Sequence, residues 1–221
     1  MPSSEGVPPT PDPRDLSIPE GMSPDARETW PSPELISSWL GDADFDFEWR
    51  PGEVTEVHPD DPAAVARARH FRDVLSRFAS GVTVVTGTSA GEPVGLTCQS
   101  FSSVSLDPPL VLFVPAKTSR AWPLIHRAGK FCVNFLAHDQ AELSNTMASR
   151  GVDKFADVAW RPSEATGSPL LEGVLGYVDC AIHQVVEAGD HYVVIGRVLD
   201  LAEADSEHPL LFFRGQYRTA G

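Results

Sequence analysis

Gly173-Val-Leu-Gly-Tyr-Val-Asp-Cys-Ala-Ile-His-Gln-Val-Val186 and His191-Tyr-Val-Val-Ile-Gly-Arg-Val-Leu-Asp-Leu201 are two long β-rich runs joined by Glu187-Ala-Gly-Asp190. At ~3.3 Å per residue, strands of that length overreach an ordinary sheet. Bending or bulging is therefore expected, with Gly176 and Gly196 as its sites. Upstream, Val82-Thr-Val-Val-Thr-Gly-Thr88 and the segment from Pro93 to Ser100 flank Ser89-Ala-Gly-Glu92 and read as a hairpin. Leu110 to Val114 is apolar without alternation, as for a strand buried on both faces. Lys130-Phe-Cys-Val-Asn-Phe-Leu136 supplies a further strand.

Helical periodicity interrupts these strands without alternating regularly with them. Asp60-Asp61-Pro62 offers an acidic N-cap and a proline for the first helical position. From Ala64 to Ala79 the apolar residues Val65, Ala68, Phe71, Val74, Leu75 and Phe78 recur at three- and four-residue spacing, which predicts an amphipathic helix ended by Gly81. Arg67, Arg69, Arg72 and Arg77 belong on its solvated face. Ser119 can cap a short helix through Ala128, stopped by Gly129. His138 to Ser149 is a further helix, with Leu143 and Met147 four apart, and Pro162 to Pro169 reads as a loop. Six or seven strands, mostly hairpin-linked, predict a mainly β (α+β) fold: an antiparallel barrel with peripheral helices. No GxGxxG follows a strand, so a doubly wound dinucleotide fold is not expected.

Charge divides the 221 residues into two parts. Residues 1–62 carry 15 Asp/Glu against 3 Lys/Arg, and residues 63–221 carry 16 against 14. An acidic chain without a basic stripe does not suit nucleic acid. The first part also holds 12 of the 20 prolines, and until about Trp30 it buries too little apolar surface to offset ordering entropy. It is expected to be a largely disordered extension. Leu35, Ile36, Trp39 and Leu40 could share one side of a short helix over residues 33–41, and Asp42 to Trp49 alternates acidic and aromatic residues. Two readings stand: a solvated tail docked on its own domain, or a motif that folds on a partner. Residues 63–221 form the folded domain.

Cys98, Cys132 and Cys180 are widely spaced and lack a CxxC pattern, so no metal site is expected; each suits a small buried hydrophobe. The N-terminus lacks a basic region and an apolar core, and no apolar run approaches ~20 residues, so neither a signal peptide nor a membrane span is expected. A reducing cytoplasm is the simplest home.

The chemistry is sparse. No GxSxG elbow occurs and paired carboxylates at helical spacing are missing from the folded part, which points to a bound cofactor as the reactive group. Gly95-Leu-Thr-Cys-Gln-Ser-Phe-Ser-Ser103 has two readings. It is either a strand with a polar face or a row in which Gly95 admits close backbone approach while Thr97, Gln99 and Ser100 offer donors to a heteroaromatic edge. Ala116-Lys-Thr-Ser-Arg120 sets two cations and two hydroxyls at a helix start, which suits a phosphate or a merely solvated helix end. Gly189-Asp190-His191 is ordinary turn chemistry, yet its flat imidazole suits a second ligand.

Taken together these segments resemble the flavin reductase-like family with the FMN-binding split barrel. The resemblance rests on Phe71-Arg-x-Val-Leu-x-Arg-Phe-Ala-x-Gly-Val-Thr-Val-Val-Thr86, Pro93-Val-Gly-Leu-Thr-Cys-Gln-Ser-Phe101, Ser105-Leu-Asp-Pro-Pro-Leu-Val-Leu-Phe113 and Lys130-Phe-Cys-Val-Asn134. Asp153-Lys-Phe155, Gly189-Asp-His191 and Pro209-Leu-Leu-Phe-Phe-Arg-Gly-x-Tyr217 extend it. Within the family the chain is similar to reductase partners of aromatic-ring hydroxylases, including one in bacterial steroid-ring breakdown.

The resemblance implies an NAD(P)H:flavin oxidoreductase that supplies reduced FMN or FAD to a partner monooxygenase. It places the flavin ring against Pro93, Val94, Gly95, Leu96, Thr97, Gln99 and Ser100, and the ribityl-phosphate side against Val114, Pro115, Ala116, Lys117, Ser119 and Arg120. Thr146 and Met147 add a contact. Gly189, Asp190, His191 and Tyr192 meet the nicotinamide nucleotide, with His191 at the hydride donor. A homodimer with the site near the subunit interface is also implied. The family often carries Arg-Phe where this chain has Thr146-Met147, so a phosphate-side cation is missing and both FMN and FAD stay open. NADH is favoured over NADPH because no arginine cluster for a 2′-phosphate stands out. Two rivals remain: a non-catalytic flavin-binding module that uses the acidic tail for a partner, and an oxidoreductase that keeps its flavin and reduces another acceptor.

Overall fold

A computed structural model describes residues 61–149, 153–204 and 208–219; the short helix expected over residues 33–41 lies outside them. The first helix, α1 (Pro62–Leu75), begins as its sequence requires. The Asp61 carboxylate accepts from the N–H groups of Ala63 and Ala64, both at 3.0 Å, and Pro62 fills a position that needs no donor. The helix stops at Leu75, with Ser76 as its cap, well before Gly81. Its expected apolar face does not meet a core. Phe71 is 63% exposed, Phe78 just beyond the helix is 80% exposed, and no residue of α1 is buried.

Twelve strands follow among the described residues: β1 (Ser80–Gly81), β2 (Thr83–Ser89), β3 (Glu92–Cys98), β4 (Ser102–Leu106), β5 (Pro109–Phe113), β6 (Lys130–Phe135), β7 (Trp160–Pro162), β8 (Pro169–Leu171), β9 (Gly176–Ala188), β10 (His191–Glu203), β11 (Leu210–Phe213) and β12 (Gln216–Thr219). Helix α2 (Ala121–Ala128) lies between β5 and β6, and α3 (Ala141–Ala148) follows β6. Seven strands make one antiparallel sheet in the order β3-β2-β6-β9-β10-β5-β4, the number that periodicity predicts. The others form a three-stranded sheet, β1-β11-β12, and a β7–β8 ribbon. That ribbon corrects the reading of residues 162–169 as wholly loop, since Pro162 pairs with Pro169.

β9 and β10 are each 13 residues long, and their pairing slips between Ile195 and Gly196 and again between Val198 and Asp200. A Cβ at Gly196 would collide with the Phe131 ring, so the strand bends where no side chain can stand. At Gly176 the register is regular. The glycine there instead lets the Ala202 carbonyl come within 2.7 Å of the position a Cβ would occupy.

The bent sheet rolls. Leu96 and Cys98 from β3, at one end, share a core with Val111 and Phe113 from β5, near the other. Beyond both strands Ser100 Oγ donates to the Val114 carbonyl and accepts from the Val114 N–H, each at 3.1 Å, which joins the two ends. β5 is not buried on both faces as its unbroken apolar run suggests. Val111 and Phe113 point inward, whereas Leu110 and Leu112 are only partly covered. Next to it, β4 is a solvated edge strand, with Leu106 94% exposed.

Trp122 and Ile125 of α2 complete this core against Phe113 and Phe131. A second core on the outer face of β2 and β6 packs Val84 and Cys132 against Met147, Phe155, Leu171 and Leu210. All three cysteines are free and buried, and burial pushes the Cys132 and Cys180 thiols up, which keeps them protonated and unreactive.

Candidate functional site

Among the described residues β3 ends the large sheet and pairs only with β2, so one edge of it lacks a strand partner there. The Gly95 carbonyl lies on that free edge, because it accepts from Lys154 Nζ at 3.0 Å. A residue in an antiparallel strand sends its N–H and C=O to the same side. Gly95 and Thr97 therefore present backbone N–H groups along this edge, while Pro93, having no N–H, is tolerated there. Thr97 Oγ1 donates to the Ser144 carbonyl at 2.5 Å and ties the strand to α3. A Cβ at Gly95 would stand 3.0 Å from Met147 Sδ and 3.2 Å from the Phe155 ring, so the strand lies directly on those side chains.

A cleft of about 990 Å³ opens along this edge and across the seam of the barrel. Pro93, Val94, Gly95, Leu96, Thr97, Gln99 and Ser100 form one wall, and Val114, Pro115, Ala116, Ser119 and Arg120 line another. Met147 and His191 also border it. The tertiary structure thus brings together four places that are separate in sequence: residues 93–100, residues 114–120, Met147 and His191. At the start of α2, Ser119 Oγ accepts from the Trp122 N–H at 3.2 Å, as the expected cap should, and Arg120 is exposed.

Five expected contact residues do not line the cleft: Lys117, Thr146, Gly189, Asp190 and Tyr192. Lys117 is turned away from the cleft lining. Its side chain is 6% exposed, its Nζ lies 3.3 Å from Glu187 Oε2, and it sits 5.6 Å from the centre of the Tyr192 ring. That cation packs against the β9–β10 hairpin. Thr146 turns its hydroxyl onto the Glu142 carbonyl, and its neighbours Asn145, Ala148 and Ser149 reach the cleft in its place.

Gly189 and Asp190 act one step back. Gly189 takes φ 63° in the two-residue turn, a conformation that favours glycine. The Lys117 N–H donates to the Asp190 carbonyl and the Tyr192 N–H to the Pro115 carbonyl, both at 2.9 Å. These bonds stitch the turn to the wall and carry His191 to the rim. Asp190 Oδ1 lies 2.7 Å from His191 Nδ1, so Nδ1 donates and Nε2 is left for a ligand. The same bond holds the Asp190 carboxyl below its ordinary range.

Single-residue reasoning missed two contributors. Asp153, Lys154 and Phe155 line the cleft, as do Phe212, Gly215, Gln216 and Tyr217 from the C-terminal hairpin. Tyr217 Oη lies 2.8 Å from Ser144 Oγ and 2.9 Å from Asn145 Oδ1, which fixes that hairpin to α3. The apolar run Leu210-Leu-Phe-Phe213 before Arg214-Gly215 carried a hairpin signal, but nothing local tells which cavity such a hairpin borders.

The donor set suits a flat heteroaromatic ring with acceptors along its edge and an anionic tail: backbone N–H groups on β3, hydroxyls at the seam, and a guanidinium at the far wall. Residues 75–221 match the model of the flavin reductase like domain. The chain belongs to that family. It is 51% identical over 160 residues to the reductase subunit HsaB of a flavin-dependent monooxygenase from Rhodococcus jostii, covering 71% of this chain and 82% of that one. Among solved structures it is similar to nitrilotriacetate monooxygenase component B from Mycobacterium thermoresistibile. The TM-score there is 0.70 at 48% identity, over 72% of this chain and 89% of the other. The NADH:FAD oxidoreductase SgcE6 of Streptomyces globisporus matches at 36% identity and TM-score 0.65, over 74% and 95%. The rolled antiparallel sheet is accordingly the family's split barrel.

Proposed function

We propose that this chain is an NADH:flavin oxidoreductase, the reducing component of a two-component flavin-dependent monooxygenase. One observation carries the reading: in a member of this family, the β3 edge, the seam residues Val114 to Ala116, Arg120 and His191 border a single cleft. NADH supplies the hydride and the bound flavin ring accepts it. The protein's task is then to hold two flat rings at near-attack distance, ~3–3.5 Å, with little acid–base machinery.

In this reading the N–H groups of Gly95 and Thr97 hold the ring edge and stabilise the negative charge that arrives with the hydride. Arg120 and Ser119 take the phosphate side. His191, oriented by Asp190, binds the nicotinamide nucleotide through Nε2. Reduced flavin then leaves for the oxygenase. The exposed apolar stripe of α1 supports a homodimer, and three free cysteines support a reducing compartment.

The test is NADH oxidation by the purified chain with free FMN, FAD and riboflavin. Turnover that scales with added flavin, and flavin that is lost on desalting, are expected. Tight flavin without turnover would favour a non-catalytic module, and turnover that survives desalting would favour an enzyme that retains its flavin.

A further inference from the structure

Lys154 lines the cleft beside the free edge of β3. Its ammonium donates to the Met147 carbonyl at 2.7 Å and to the Gly95 carbonyl at 3.0 Å. The first bond satisfies a carbonyl in the last turn of α3, where a cation also meets the negative end of the helix dipole. Helix capping therefore explains part of the arrangement. It does not explain the charge. Half-burial lowers the ammonium's pKa through desolvation, and among the described residues no carboxylate compensates it. Asp153 next door spends Oδ1 on the Phe155 N–H at 3.0 Å, and Lys154 makes no ion pair among the described residues. A partly desolvated cation without a counter-ion is costly, and a neutral donor would cap the same carbonyls at lower cost. Such a group in a cleft is a candidate for function, because an anion that arrives there recovers the cost.

That anion follows from the reaction. A hydride carries one proton and two electrons, so when it leaves NADH, giving NAD⁺, a neutral flavin ring gains one negative charge. The geometry points to Lys154 as the residue that makes this cleft prefer reduced over oxidised flavin, its ammonium facing the added charge while it holds the Gly95 and Met147 carbonyls. Charge beside the ring is one of the levers by which a protein sets flavin electronics. The cation draws the ring's equilibrium toward reduction because affinity for each redox state and the ease of reduction are linked. The inference rests on the flavin-reduction reading and deepens it. It also names a constraint on the partner, which must take reduced flavin from a site biased to hold it.

The test compares affinities, with no turnover involved. Oxidised FMN, and FMN reduced with dithionite under argon, are titrated into the full chain, and binding is read from quenching of tryptophan fluorescence. Wild type, Lys154→Gln, Lys154→Met and Lys154→Arg are measured side by side. Glutamine keeps a donor for the carbonyls without the charge, and arginine keeps the charge. The expected result is that wild type binds reduced FMN more tightly than oxidised. Lys154→Gln and Lys154→Met lose about tenfold more affinity for the reduced form than for the oxidised form, and Lys154→Arg preserves the preference. Equal losses for both forms would reduce Lys154 to a structural cap and overturn the inference. If neither neutral variant folds, equal affinity of wild type for the two forms overturns it alone. Failure of wild type to oxidise NADH with any flavin counts against the flavin-reductase reading, and the affinity ratio counts against Lys154 alone.

Discussion

At the scale of single residues, His191 and Arg120 border the same cleft but answer different questions. His191 Nδ1 is committed to Asp190, so Nε2 is the atom that can meet a nucleotide. His191→Ala should raise KM for NADH about tenfold while kcat changes little, the pattern of a lost binding contact. A large loss of kcat at constant KM in steady-state assays would contradict that role. Arg120 is exposed at the start of α2. Arg120→Ala should raise KM for FMN and FAD by about tenfold and leave riboflavin, which lacks a phosphate, unchanged. A matching change with riboflavin would move Arg120 away from the phosphate side.

At the scale of elements, two positions decide whether the frame of the cleft holds. Gly196 lies at the bend of β10, against the Phe131 ring. Gly196→Ala should destabilise the fold by about 1–3 kcal/mol or more, seen as a lowered thermal midpoint, since either the ring or the strand must shift. On α2, His126 stacks on Trp122 with centroids 5.0 Å apart, and burial lowers its pKa to about 4. The unfolded chain therefore binds a proton below the ordinary value of 6.5 that the folded chain refuses until about 4. Stability contributed by neutral His126 is complete above pH 6.5 and falls as pH drops toward 4, by at most about 3 kcal/mol. Denaturant titrations across that window should show the loss, and His126→Gln should flatten it.

At the scale of the whole molecule, the exposed stripe of α1 and the role of the acidic extension are the open questions. Phe71 and Phe78 are large apolar side chains left mostly in water, the kind of surface that marks an interaction site. Light scattering should report twice the chain mass, and Phe71→Asp with Phe78→Asp should yield monomer, since each buried phenylalanine contributes about 1.5–3 kcal/mol. The family match begins at residue 75, beyond the acidic extension. A chain that begins at Asp60 should keep NADH oxidation within about twofold, because the family match lies wholly within what remains. Loss of turnover on truncation would assign the extension a part in the cleft.

Much of this molecule is written locally. The Asp61-Pro62 cap, the Ser119 and Gly129 ends of α2, the hairpin of two 13-residue strands and its bend at Gly196 each follow from residues that are neighbours in sequence, because capping, turns and strand period are short-range effects. The sequence by itself therefore determined the β class and singled out Pro93 to Ser100 and the seam from Val114 to Arg120, which border one cleft. What it could not determine was which way a charge or an apolar face turns. Lys117 and Lys154 are both cations near the site, yet one is drawn to Glu187 on the hairpin and the other to carbonyls on the cleft wall. The stripe of α1 carries the helical period of a buried face but finds no cover among the described residues. Those outcomes depend on partners tens of residues away, and only the rolled sheet, which sets β3 against the seam and the C-terminal hairpin against α3, decides them.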